Sequence, residues 1–246
     1  MRAPPEQIPA PAFPVGLPWV NVAPLRMDKQ LRRPVLIEFW DFCRVNSLRT
    51  LPYVKAWHER YAADGLRVIG VHSPGFPCSA EEGNVRAACE RMVIEHPVCI
   101  DSGLEVWREY GNQGWPARYL FDGRSRLFEY HVGEGAYAET ERAIQELLGV
   151  ERDLVAPVRP EDAPGAEVVV QTPDQPGAYS GPYEAGGIWA VLEGQGSVVV
   201  NGESLAVTGC GCYALLTHER HTEGVLELRL GDGVACHATC FTPGMP

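Results

Sequence analysis

The residue types best equipped for chemistry gather where an apolar run gives way to an amphipathic helix. Cys43 stands there, with Arg44 beside it and Arg49 a little further along. A thiol at a helix N-terminus, flanked by guanidinium groups, gains thiolate character, and a thiolate attacks disulfides or peroxide. Three readings of Cys43 compete. It is an activated nucleophile; or it is a small buried hydrophobe in a redox-inactive binding domain; or it is resolved by a distant cysteine, for which Cys78 in the 73–79 loop is the candidate, provided the chain brings the two Cα atoms within the ~4.4–6.8 Å that a disulfide spans. His72 ends a predicted strand on the side where open α/β sheets place their sites, which makes it a candidate proton shuttle against the plainer reading as a hydrogen-bonding surface residue.

The remaining cysteines carry weaker signals. Cys89 falls on the buried side of a helix with Val85, Ala88 and Met92, and Cys99 falls in a short strand, so both read as core packing. Cys210-Gly211-Cys212 and Cys236-His237-Ala238-Thr239-Cys240 invite a zinc reading with His218, His221 and His237. On a strand, however, alternate residues share a face, so each pair points one way, and neither spacing is the C-x2-C of structural zinc sites. Packed thiols, with no metal and no cofactor, are the expectation.

The elements that must position Cys43 follow from periodicity. An apolar, branched and aromatic run over 34–40 reads as a buried strand, and Leu48, Leu51, Val54, Trp57 and Tyr61 recur at helical spacing, with Ser47 or Asn46 as cap and a kink at Pro52. A strand over 66–72, a helix from a Ser79 and Glu82 capping box to about 95, a strand over 97–100 and a short helix over 104–110 come next. A hairpin turning at Gly123 and an amphipathic helix over 136–148 closed by Gly149 complete an α/β layer structure. The 150–187 stretch is rich in proline and acidic residues, as an exposed linker is. Beyond it every periodic segment is strand-like, and Asn201-Gly202 signals a tight hairpin. The predicted organisation is a Pro-rich leader over 1–16, an α/β domain over 17–149, the linker, and an all-β sandwich, jelly-roll-like, over 188–246.

Composition narrows the function. The 246 residues hold 45% hydrophobic and 22% charged residues and a formal charge of −11, with eight cysteines. Nucleic acid and anionic lipid surfaces are disfavoured by that charge, and no run reaches the ~18–20 apolar residues of a membrane helix. Pro4, Pro5, Pro9, Pro11 and Pro14 interrupt any apolar signal segment, which makes a cytoplasmic protein with mostly reduced thiols the expectation.

The ordered segments Phe39-Trp40-Asp41-Phe42-Cys43-Arg44-Val45-Asn46-Ser47-Leu48-Arg49-Thr50-Leu51-Pro52, Val68-Ile69-Gly70-Val71-His72-Ser73-Pro74, Tyr110-Gly111-Asn112, Trp115-Pro116-Ala117-Arg118 and Gly133-Glu134-Gly135 resemble the TlpA-like branch of the thioredoxin-like superfamily, in particular the DipZ type. The resemblance covers 17–149 and implies a central mixed sheet flanked by helices. It implies that Pro116 is a cis-proline beside the active site, and that Trp40, Trp115 and Pro116 face a bound partner. It also exposes a departure: Arg44 and Ser47 occupy the two positions of the family's Cys-x-x-Cys pair, and Cys43 stands one residue earlier. The implied activity is thiol–disulfide or peroxide-reactive oxidoreduction on Cys43, Arg44 and Ser47, with a thiol or disulfide protein, or peroxide, as partner. The alternative is a redox-inactive binder of an extended peptide or small ligand. The C-terminal domain fits loosely the general pattern of a carbohydrate-binding module, for which Trp189, Tyr179 and Tyr183 would be the stacking residues if exposed, and is fainter still as a cupin, whose His-x-His motif it lacks.

Overall fold

The computed structural model describes residues 1–2 and 8–246. Pro4 and Pro5 of the expected leader lie outside the described residues. Two compact units divide the chain: Met1–Asp41 with Asn46–Ala156, and Phe42–Val45 with Pro157–Pro246.

In the first unit, every residue of β2 (Val35–Trp40) is buried, as a central strand covered on both faces must be. It pairs in parallel with β3 (Arg67–His72), which pairs in parallel with β4 (Val98–Ile100), and antiparallel with β5 (Ala117–Phe121). With β1 (Trp19–Val20) and β6 (Leu127–Val132) at the edges, the order is β1-β4-β3-β2-β5-β6. Parallel neighbours need crossover connections, supplied here by α1 (Val45–Tyr61) and α2 (Glu82–Arg91). The strand period then sorts the core. Val35, Ile37 and Phe39 join Ile69, Val71 and Val106 of α3 (Glu105–Glu109) on one face. Leu36 joins Val54, Trp57 and Tyr61 of α1 and Ala143 and Ile144 of α4 (Tyr137–Leu148) on the other.

Several local expectations are corrected. Helix α1 begins at Val45 and runs as one element through Pro52, so Ser47 lies inside it rather than capping it. Ser79 does not open α2: it sits in a 3-10 turn, Pro77–Ala80, its hydroxyl accepting the Phe76 N–H, and α2 ends at Arg91. The β5–β6 hairpin turns through Gly123, with a positive φ at Ser125. The N-terminal segment is not a detached leader, because Ile8 and Ala10 hydrogen bond along β6 and its turn while Phe13 is buried against Trp19.

In the second unit, a three-stranded sheet, β10-β9-β12, and a four-stranded sheet, β11-β8-β13-β7, share a core of Ile188, Ala190, Leu192, Val198, Val200, Leu226 and Phe241. The strands are β7 (Gln175–Pro176), β8 (Gly181–Gly194), β9 (Gly196–Val200), β10 (Glu203–Val207), β11 (Gly211–Leu226), β12 (Leu228–Leu230) and β13 (Val234–Thr242). Asn201 and Gly202 make the β9–β10 turn with φ of 48° and 91°. The Pro-rich stretch is less of a linker than its composition suggests: Val169 bridges Gly244, Thr172 bonds Glu184, and β8 begins at Gly181. A bulge between Cys236 and Ala238 also upsets simple alternation on β13. Cys236 sits opposite Leu192 and Cys240 opposite Trp189, which places the two thiols on different faces of the sheet. Among the described residues no helix is long and apolar enough to cross a membrane.

Candidate functional site

The C-terminal end of β2 gathers the polar groups of the first unit. Asp41 follows the apolar strand directly and is wholly buried, so its carboxylate must be satisfied by protein. It accepts the Gly75 N–H at 2.7 Å and the Ser79 hydroxyl at 3.1 Å, and its Oδ1 lies 3.4 Å from His72 Nε2. Its own N–H donates to Ser47 Oγ at 3.2 Å, so the Ser47 hydroxyl completes the strand-to-helix turn. His72 is no surface residue: it is buried edge-on against Trp40, ring centroids 5.2 Å apart. Trp40 is only 1% exposed, which removes it from the expected partner-facing group.

A second web sets Trp115. Ser73 donates to Asp101 Oδ2 at 3.0 Å, Asp101 in turn accepts the Val106 and Trp107 N–H groups that start α3, and the Ser73 carbonyl accepts Trp115 Nε1–H at 2.8 Å. The half-buried Trp115 ring packs on Trp107 at 4.3 Å and precedes Pro116 through a cis peptide bond. Arg49 Nε donates to Glu134 Oε1 at 2.7 Å in a largely buried pair. Cys78 is buried in the Pro77–Ala80 turn.

Two buried ionisable groups were not singled out by spacing. Glu38 interrupts the apolar run of β2, faces Arg118 in the β2–β5 register, and is held by burial at about 8, with Arg118 opposing that rise. The Arg118 guanidinium donates to the Gly135 carbonyl and lies over the Tyr137 and Trp57 rings at 5.1 and 5.6 Å. His96, 1% exposed, is pushed down to about 3 by burial and by neighbouring His58 and Lys55. With Lys55, His58, Glu59, Val93 and Glu95 it lines a cavity of about 260 Å³. A glutamate inside an apolar strand was the available signal for Glu38; nothing local marks His96.

In the second unit, Cys43 is completely buried in the Phe42–Val45 turn that leads into α1, and its Sγ lies 3.5 Å from Cys210 Sγ. Arg44 is half-buried, and its charge reaches Cys240, whose thiol burial nonetheless raises to about 12. Burial also raises Cys89 to about 11 and lifts Cys99 and Cys236. The aromatic platform expected for a carbohydrate is not assembled. Tyr183 is buried and bonds His218 Nε2 at 3.0 Å, the Tyr179 ring packs on Phe241 with its hydroxyl on the Pro182 carbonyl, and Trp189 is only partly exposed.

No family model matches the chain. Protein DipZ of Mycobacterium tuberculosis (strain CDC 1551 / Oshkosh) is 34% identical over 133 residues, which are 53% of this chain and 19% of that protein. The chain thus spans about a fifth of the length of that relative. Thiol-disulfide oxidoreductase YkuV of Bacillus subtilis (strain 168) is 25% identical over 130 residues, 53% of this chain and 87% of YkuV. A solved thioredoxin-like protein in its oxidised form superposes with a TM-score of 0.53 at 24% identity, over 59% of this chain and 98% of that one.

Proposed function

We propose that this chain, a thioredoxin-like protein with DipZ and YkuV among its relatives, is a thiol-dependent oxidoreductase in which Cys43 replaces the Cys-x-x-Cys pair as nucleophile. The observation that carries the reading is the place of Cys43, in the turn from β2 into the N-terminus of the long helix α1. Helix-terminal N–H groups stabilise a thiolate there, and Arg44 adds a neighbouring cation. Arg44 and Ser47 hold the positions of the missing cysteines, Ser47 by shaping the turn. The half-buried Trp115, set by the buried Pro116 that follows it, is the partner-facing side chain, and the partner class is a protein thiol or disulfide, or peroxide. Arg49, whose Nε is paired with Glu134, is a second cation close in sequence to the thiol. The C-terminal unit, with two sheets about one core, acts as a sandwich-type accessory module.

The complete burial of Cys43 favours a second reading, a redox-inactive module that binds an extended peptide or small ligand. Alkylation separates the two. The rate at Cys43, assigned by mass spectrometry against Cys43→Ser, is followed across pH; a fast phase with an apparent pKa well below ~8.5 supports the enzyme. A thiol that stays slow throughout supports the binder. Burial raises Cys89, Cys99, Cys236 and Cys240, so they contribute little background near neutral pH.

A further inference from the structure

The sequence places Cys43 and Cys210 far apart, 167 positions, yet both belong to the second unit, and their sulfurs approach to 3.5 Å. Cys43 carries a thiol, whereas Cys210 is held in a disulfide. Both sulfurs are buried, so bulk water does not separate them. The approach is also built. Cys210 follows the bend after β10, where the Tyr213 hydroxyl accepts the Thr208 N–H at 3.2 Å and donates to the Gly209 carbonyl at 2.9 Å, fixing the two residues before it. A disulfide holds its sulfurs about 2.0 Å apart, so this pair stands about 1.5 Å beyond bonding distance.

From this we propose that Cys210 is the exchange partner of Cys43, so that the missing second cysteine of the motif is supplied by the C-terminal module. The proposal rests on the reading of Cys43 as a nucleophile and names its resolving residue. The Cys43 thiol gives its proton to water, and the thiolate attacks Cys210 Sγ in line with the existing bond. The Cys43–Cys210 bond forms as the present Cys210 disulfide breaks, and the displaced sulfur leaves with the bonding electron pair and takes a proton from water. One thiol and one disulfide are consumed and one of each is produced, with no external oxidant. In the fully reduced chain the same pair handles a foreign disulfide in two displacements: Cys43 takes one half as a mixed disulfide, then the Cys210 thiolate releases it and closes Cys43–Cys210.

Non-reducing peptide mapping of the full chain tests this, after equilibration in reduced and oxidised glutathione at several ratios and rapid acid quenching and alkylation. The expected result is a Cys43–Cys210 linked peptide whose share rises at intermediate ratios and disappears on full reduction. In Cys210→Ser the Cys43–glutathione adduct should persist at least about tenfold longer, matching the loss of an intramolecular resolving thiol, while Cys212→Ser resolves as the parent does. The linkage map of the unmodified chain decides the matter if Cys210→Ser fails to fold. Rapid alkylation of Cys43 without any Cys43–Cys210 peptide, or with linkage to Cys78 instead, overturns the assignment and leaves the oxidoreductase reading standing. An inert Cys43 that forms no linkage at any ratio overturns both.

Discussion

Glu38 and Arg118 face one another across β2 and β5, each almost completely buried, with no hydrogen bond joining them. Desolvation outweighs the attraction of the guanidinium, and Glu38 holds its proton up to about 8. The consequence for stability has a definite sign. Between the ordinary carboxyl range of an unfolded chain, near 4.5, and 8, the folded state binds the extra proton. Stability therefore falls as pH rises through that window, with a slope of at most about 1.4 kcal/mol per pH unit from this group. Glu38→Gln should flatten the difference and be more stable than the parent at pH 8. Urea melts of both proteins at a series of pH values check this; parallel profiles would show that Glu38 ionises normally.

Asp41 differs from Glu38, because its side-chain oxygen accepts hydrogen bonds. Removing the acceptor leaves the Gly75 N–H without the partner it has at 2.7 Å and weakens the Ser79 turn. Each buried polar group so stranded costs about 1–3 kcal/mol. Asp41→Ala, which removes both carboxyl oxygens, should lower the urea midpoint with little change in the m-value and slow refolding little. An unchanged midpoint would show that the β2–α1 turn does not depend on this carboxylate.

Gly70 is required by space. A Cβ there would stand 3.0 Å from Trp40 Nε1 and 3.3 Å from His96 Nε2, on the face shared by Glu38 and Trp40. Overpacking of this kind costs about 1–3 kcal/mol. Gly70→Ala should therefore destabilise and shift the Trp40 fluorescence, whereas Gly83→Ala, with nothing within 4 Å of the added carbon, should not lower stability. Equal effects at both positions would contradict the packing account.

The same residues explain how far the sequence could be read. The apolar run of β2, the helical recurrence of Val54, Trp57 and Tyr61, and Asn201-Gly202 all express short-range rules, and each lies where periodicity puts it. β8 and β11 are long, and their true length was hidden because Gly186, Gly187 and the polar 218–221 stretch break alternation while register shifts keep the strands paired. Trp40 reads as a surface aromatic beside the motif, but its strand is covered on both faces. Cys43 carried a legible chemical signal; Cys210 did not, because its relation to Cys43 is tertiary and spans 167 positions.

His96 sets the acid side of the stability profile. Burial and the nearby His58 and Lys55 hold its ring neutral down to about 3, whereas in the unfolded chain it takes a proton near the ordinary 6.5. Over that interval the unfolded state binds more protons, so the stability is fully present above 6.5 and is lost as pH falls toward 3, the opposite slope to Glu38. Neither ring nitrogen has a hydrogen-bond partner within the protein, so an apolar ring of similar size sacrifices no such bond. His96→Phe should lower the acid-unfolding midpoint and leave stability at pH 7.5 within about 1.5 kcal/mol of the parent. Acid titration followed by far-ultraviolet circular dichroism measures both; coincident acid limbs would place the acid lability on another group.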